Sequence, residues 1–96
     1  MIRHAVILRL KPLISPENKA AFLEASWRLA RIPNVQNLEV LKQTSSKNPF
    51  DYGIIMEFDS QEQYDFYSNH LDHQAFIQDF WIPCVEDFLE IDYLPL

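Results

Sequence analysis

Ile2-Arg3-His4-Ala5-Val6-Ile7-Leu8-Arg9-Leu10-Lys11 alternates without a break: Ile2, His4, Val6, Leu8 and Leu10 fall on one side, Arg3, Ala5, Ile7, Arg9 and Lys11 on the other. That period of two predicts a strand, which Pro12 ends. The first side is apolar apart from His4 and predicts a cover of helices. The second should be polar if it met only water, yet it carries Ala5 and Ile7. A sheet face of that mixed character predicts a partner.

Outward from this strand, the pattern changes to helical. Ser15 is placed to cap a helix with Pro16 at its first position. Ala20, Leu23, Trp27 and Ala30, flanked by Phe22 and Leu29, carry the helix to about Arg31. Ile32-Pro33-Asn34 breaks it. Val35 to Thr44 reads as a second strand, and Ser45-Ser46-Lys47-Asn48-Pro49 as a loop. Tyr52, Ile54, Met56 and Phe58 alternate with Gly53, Ile55 and Glu57 in a third strand, which again puts aliphatic Ile55 on the open side.

Ser60 and Gln63 form a capping box for a second helix bearing Tyr64, Phe66 and Tyr67. Asp72 is the expected N-cap of a short third helix with Phe76, Ile77 and Phe80, stopped by Pro83. Phe88 to Tyr93 is the last strand. The order is β-α-β-β-α-β, an α+β fold with a four-stranded antiparallel sheet and helices on one face, occupying residues 1–96 as one domain. Two such sheets packed open face to open face make a dimeric barrel.

Composition narrows the function. Hydrophobic residues make up 48% of the 96, enough to exclude a disordered tail. No run approaches the ~20 apolar residues of a membrane helix, so no membrane association is expected, and no targeting segment is seen. The single Cys84 forms no intrachain disulfide and points to a cytoplasmic location. All eight Lys and Arg lie at or before Lys47 beside only three Glu, whereas eleven acids and no base follow. The two halves are expected to attract each other. A net charge of −6 without a basic stripe excludes nucleic acid as partner. Phosphate-cradling loops need several glycines, and Gly53 is the sole one. No cofactor is expected.

With this architecture in place, Ile2-Arg3-His4, Ile32-Pro33-Asn34-Val35, Tyr67-x-x-His70-x-x-His73 and Ile91-Asp92-Tyr93 resemble, in order and over nearly the whole chain, the stress-responsive dimeric α/β-barrel (Dabb) family. The resemblance implies a ferredoxin-like protomer, a homodimer through the sheet faces and a cavity between sheet and helices. Asn34 stands where the family usually has Gly, and Asn tolerates the same left-handed backbone. Similarity to the olivetolic acid cyclase-like members implies a catalytic pair, His73 and Tyr67, with His4 as a first-strand pocket residue. A third-strand pocket His of those members falls on Tyr52, a departure.

A cyclisation needs a base for an acidic C–H and a donor for the developing enolate. A neutral imidazole suits the first and a phenol in an apolar cavity the second. Tyr67 and His73 are six residues apart, about 600° along an unbroken helix, so they converge only if the helix breaks between them. The expected break is Leu71-Asp72. The expected lining is Val6, Leu8, Phe22, Ser26, Ile54, Met56 and Phe76, enclosing a small apolar or aromatic ligand. Against this stands a structural reading: Tyr67 a packed aromatic, His73 a hydrogen-bonded strut, His4 a satisfied core residue. No metal is expected, since His70 and His73 lack a recognisable ligand motif around them.

Three functions therefore stay open on sequence alone. The first is a cavity protein working as a cyclase- or lyase-type acid/base catalyst on ketide-like or aromatic compounds. The others are a non-catalytic stress-related binding or assembly protein, and a cofactor-free monooxygenase of the related dimeric barrels.

Overall fold

A computed structural model describes residues 1–96. β1 spans Ile2–Leu10, α1 Pro16–Arg28 with a 3-10 turn Leu29–Arg31, β2 Gln36–Lys42 and β3 Tyr52–Phe58. α2 spans Gln61–Asn69 and α3 Leu71–Phe76, which runs on through a π-helical turn, Ile77–Trp81, and a last helical turn, Ile82–Cys84. β4, Val85–Tyr93, follows at once. All pairings are antiparallel and the order is β2-β3-β1-β4, with helices on one face: the ferredoxin-like arrangement.

Local chemistry accounts for the boundaries. The Ser15 side chain accepts from Asn18 N–H, Pro16 opens α1, and the Ser60 hydroxyl accepts from Gln63 N–H while the Gln63 amide oxygen accepts from Asp59 N–H. Asn34 takes the left-handed backbone, φ 76°, that the turn after α1 requires. β4 begins three residues before Phe88, directly after Cys84, whose carbonyl receives Lys11 N–H and so ties the helix end to the end of β1.

The buried stripe of α1 is Phe22, Ala25, Ser26 and Leu29, at i, i+3, i+4 and i+7. It is rotated from the Ala20-Leu23-Trp27-Ala30 stripe read from the sequence, and Trp27 is exposed. Ser26 disguised the true stripe. Its hydroxyl donates to Phe22 C=O at 2.9 Å, so a polar residue sits in the core without an unmet bond.

On the open face the register aligns Leu41, Gly53, Ile7 and Leu89 in one row and Glu39, Ile55, Ala5 and Ile91 in the next. Leu41 and Leu89 are exposed, and so are Tyr93 and Leu94 beyond them. A Cβ added at Gly53 would meet nothing closer than 4.0 Å, so nothing within the protomer demands glycine there.

Candidate active site

The two helix-face strands β1 and β4 bring His4 and Asp92 opposite each other in register. His4 Nδ1 lies 2.6 Å from Asp92 Oδ1 and 2.8 Å from the Tyr64 hydroxyl. That hydroxyl also stands 3.0 and 3.1 Å from the two Asp92 oxygens and 3.2 Å from Glu90 Oε1. Ionised carboxylates only accept, so Nδ1 carries a hydrogen toward Asp92 and the phenol donates to a carboxylate. In the neutral imidazole the other ring nitrogen, Nε2, then keeps its lone pair. His4 itself is buried and lines a cavity.

Tyr64 and Tyr67 are one turn apart on α2 and share a face, both laid on Phe58 with ring centroids 5.1 and 5.2 Å away. Their hydroxyls differ completely. Tyr64 is surrounded by acceptors, whereas the Tyr67 hydroxyl meets no partner in the chain although the residue is only 3% exposed. It faces the cavity as a free donor. Burial, and then the field of Glu90, pushes its ionisation well above the ordinary tyrosine range. Burial, then hydrogen bonding to Asp92, does the same to Tyr64.

The chain does break between Tyr67 and His73, at His70 rather than Leu71-Asp72. His70 adopts the extended backbone of an N-cap, and its Nδ1 accepts from Asp72 N–H at 3.0 Å. Asp72 is inside α3, not its cap. The break turns His73 back over α2: its Nδ1–H donates to Ser68 C=O at 3.0 Å, one of the carbonyls a helix end leaves unpaired. The His73 and Tyr67 rings come to 4.5 Å between centroids. Burial lowers the pKa of His73, partly opposed by the Ser68 bond; neighbouring His4 lowers it further and Glu90 raises it. The imidazole is neutral at neutral pH, with Nε2 free.

These groups line one cavity of about 300 Å³ between the sheet and α2–α3. Of the expected residues, Val6, Ile54 and Met56 form its floor, and Phe76 a wall, with His4, Tyr67 and His73 around it. Leu8, Phe22 and Ser26 do not line it: each is fully buried in solid core beneath α1. Tyr52 opens instead on a separate groove beside Arg9, Lys19 and Lys42, with Lys19 Nζ 5.6 Å from its ring centroid. Alternation gives the face a residue points to, not which helix lies above it.

The wall also holds Tyr64, Trp81, Phe88 and Glu90, which the sequence reading did not select. Phe88, Glu90 and Asp92 share the inner face of β4, as their spacing of two required. β4 is an edge strand, and Phe88 and Glu90 remain exposed at the cavity mouth. The π-helical turn sets Trp81 against Phe88, edge to face, with centroids 5.3 Å apart. His4, Glu90 and Asp92 each bring one ligand atom within 4.8 Å of the others, the spacing of a metal set. The Tyr64 hydroxyl is within bonding distance of all three and gives its one proton to a carboxylate, while His4 Nδ1–H serves Asp92.

Elsewhere, Cys84 is buried and its thiol is harder to ionise than usual for that reason, an effect slightly offset by Lys11. No helix is long and apolar enough to cross a membrane.

The fold is shared widely. A Dabb-family protein with a ferredoxin-like fold from Mesorhizobium loti is 44% identical; the match covers 99% of this chain and 96% of that one, with a TM-score of 0.92. A dimeric ferredoxin-like protein from Thermobifida fusca matches at 22% identity over 96% of this chain and 88% of that one, TM-score 0.82. Hydroxynitrile lyase from Passiflora edulis matches at 17% identity over 96% and 90%, TM-score 0.86. Among curated proteins none matches significantly. The antiparallel sheet covered on one side, the cavity beneath α2–α3 and a match of residues 2–95 to the stress responsive A/B barrel domain agree, and the chain belongs to the Dabb family.

Proposed function

We propose that the protein is a homodimeric acid/base catalyst of the lyase or aldol type, acting on a small, largely apolar carbonyl compound. One observation carries this. A cavity of about 300 Å³ holds an unpaired phenol donor, Tyr67, together with a histidine, His4, whose far nitrogen is backed by a carboxylate at 2.6 Å. A merely structural tyrosine would bury its hydroxyl with a partner.

The division of labour follows from the bonds each group already makes. The substrate carbonyl oxygen accepts from Tyr67. His4 Nε2 removes the adjacent C–H proton, the C–H electron pair becomes the enolate, and Tyr67 holds the enolate oxygen. Asp92 stabilises the imidazolium formed on His4, as a carboxylate behind a catalytic histidine does. His73, kept neutral by burial, offers a second lone pair beside Tyr67 and returns or relays the proton. The enolate then closes on a second carbonyl or expels a leaving group. Resemblance to cyclase-like members had put the base on His73; the Asp92 contact favours His4.

The homodimer reading rests on the apolar rows of the open face, on Gly53 at their centre and on a relative described as dimeric. Light scattering should return twice the 11.4 kDa chain mass. Catalysis is tested with acetophenone in D2O. Wild type should speed exchange of its methyl protons, and His4→Ala and Tyr67→Phe should not. Exchange no faster than in buffer, or undiminished in both variants, overturns the assignment.

A further inference from the structure

The cavity mouth carries a charge that the acid/base chemistry does not need. Glu90 stands at it, Asp92 shares the Tyr64 hydroxyl with Glu90, and no lysine or arginine lines the cavity anywhere. The basic first half of the chain does not neutralise the acidic second half by contact: Arg9–Glu86 at 3.1 Å is the one Lys or Arg pair that joins them. Glu90 makes itself felt deep inside, since its field acts on both Tyr67 and His73. Around these acids the wall is aromatic. Trp81 and Phe88 flank the mouth, and Phe76 packs 6.2 Å from Trp81 within. Beyond them lies Tyr67, buried as a residue, whose hydroxyl has no partner in the chain.

We infer that the cavity selects a small organic cation, an aryl- or alkylammonium compound with a hydrogen-bond acceptor at its inner end, over carboxylates of the same shape. The ammonium sits at the mouth, where the Glu90 carboxylate and the Trp81 and Phe88 rings both attract positive charge. The acceptor reaches the Tyr67 hydroxyl. A carboxylate would lose its water beside the like charge of Glu90 with no lysine or arginine in the lining to pair it, so anions are turned away. This rests on the cavity being the working site, as proposed above, and narrows its substrates to amino ketones and related amines rather than acids.

The test is binding, independent of turnover. Benzylammonium, benzyl alcohol and benzoate share one shape with charges of opposite sign and none. Measured by isothermal titration near pH 7 with wild-type protein, the ammonium should bind about tenfold tighter than the alcohol and benzoate at least as much weaker. Raising the salt concentration should shrink the first ratio, and Glu90→Gln should reduce it several-fold, leaving only the part the rings supply. Benzoate binding as tightly as benzylammonium overturns the inference. So does a ratio that Glu90→Gln leaves unchanged, or silence from all three compounds. The two readings fail separately. Cation preference without acetophenone exchange sinks the catalytic assignment alone, and exchange with benzoate competing as well as benzylammonium sinks only this one.

Discussion

Two ends of one sheet face lie under two different helices, and the sequence treats them oppositely. Under α1, Leu8, Phe22 and Ser26 are sealed from solvent and the Ser26 hydroxyl has its partner in Phe22 C=O. Under α2 and α3, two strand positions away along β1, the space stays open and is ringed by His4, Tyr67 and His73. Packing normally fills such gaps, because each void forfeits contact energy. The first end supplies the stability that lets the second remain hollow, with a donor and two imidazole lone pairs unpaired.

The largest effect expected from this contrast is on stability. Phe22→Ala, in the sealed end, should cost about 3–5 kcal/mol in urea unfolding. Phe76→Ala, on the cavity wall, should cost clearly less, since its neighbours on one side are already absent. Equal losses would mean that the cavity end is packed as tightly as the other. His4→Ala should reverse the ranking. It should remove about 10²–10⁴-fold of any acetophenone exchange while leaving a folded dimer.

The two tyrosines sharpen the comparison at smaller scale. Tyr64→Phe removes the phenol donor shared by Glu90 and Asp92 and should cost about 1–3 kcal/mol, leaving Asp92 with His4 alone. Tyr67→Phe deletes a hydroxyl without a partner and should leave the unfolding midpoint almost where it was. A Tyr67→Phe loss as large as that of Tyr64→Phe would reveal a hidden bond and make Tyr67 a structural residue. On the open face, Ile7→Asp should split the dimer, because it would bury a charge with no counter-ion. A dimer unaffected by it would move the interface off the sheet.

The same contrast explains what could be read from the sequence. Alternation in β1 and β3 declared both faces of the sheet, so the apolar open face was legible from Ile2–Leu10 and Tyr52–Phe58, and the helical spacings and caps between the strands added the fold. His4 was legible for the same reason, a polar residue in an apolar row. Asp92 and Glu90 were not, because acids on a terminal strand read as solvated; they gain meaning only once the Tyr64 hydroxyl of α2 is seen to reach both. Leu8, Phe22 and Ser26 were assigned to the cavity because periodicity fixes the face but not the helix overhead. The helix break was foreseen but placed on Asp72, a stronger N-cap by residue type than His70.

The smallest effect concerns pH and isolates His73. Its folded pKa is held below the usual histidine value, chiefly by burial, so between the two values the unfolded chain binds a proton that the native one refuses. Stability should thus fall as pH drops below about 6.5, level off once the native histidine also charges, and be unaffected above. Other titrating groups change stability in the same range, so the quantity to measure is a difference. In His73→Asn the side-chain amide can still donate to Ser68 C=O but does not titrate. The melting temperature of wild type should fall relative to this variant on going from pH 7.5 to 5.5, as the unfolded wild-type chain takes up a proton that the native one refuses. A difference that stays constant would mean that His73 titrates alike in both states. Burial would then not be what keeps His73 neutral, and its imidazole would charge below about pH 6.5 like any exposed histidine.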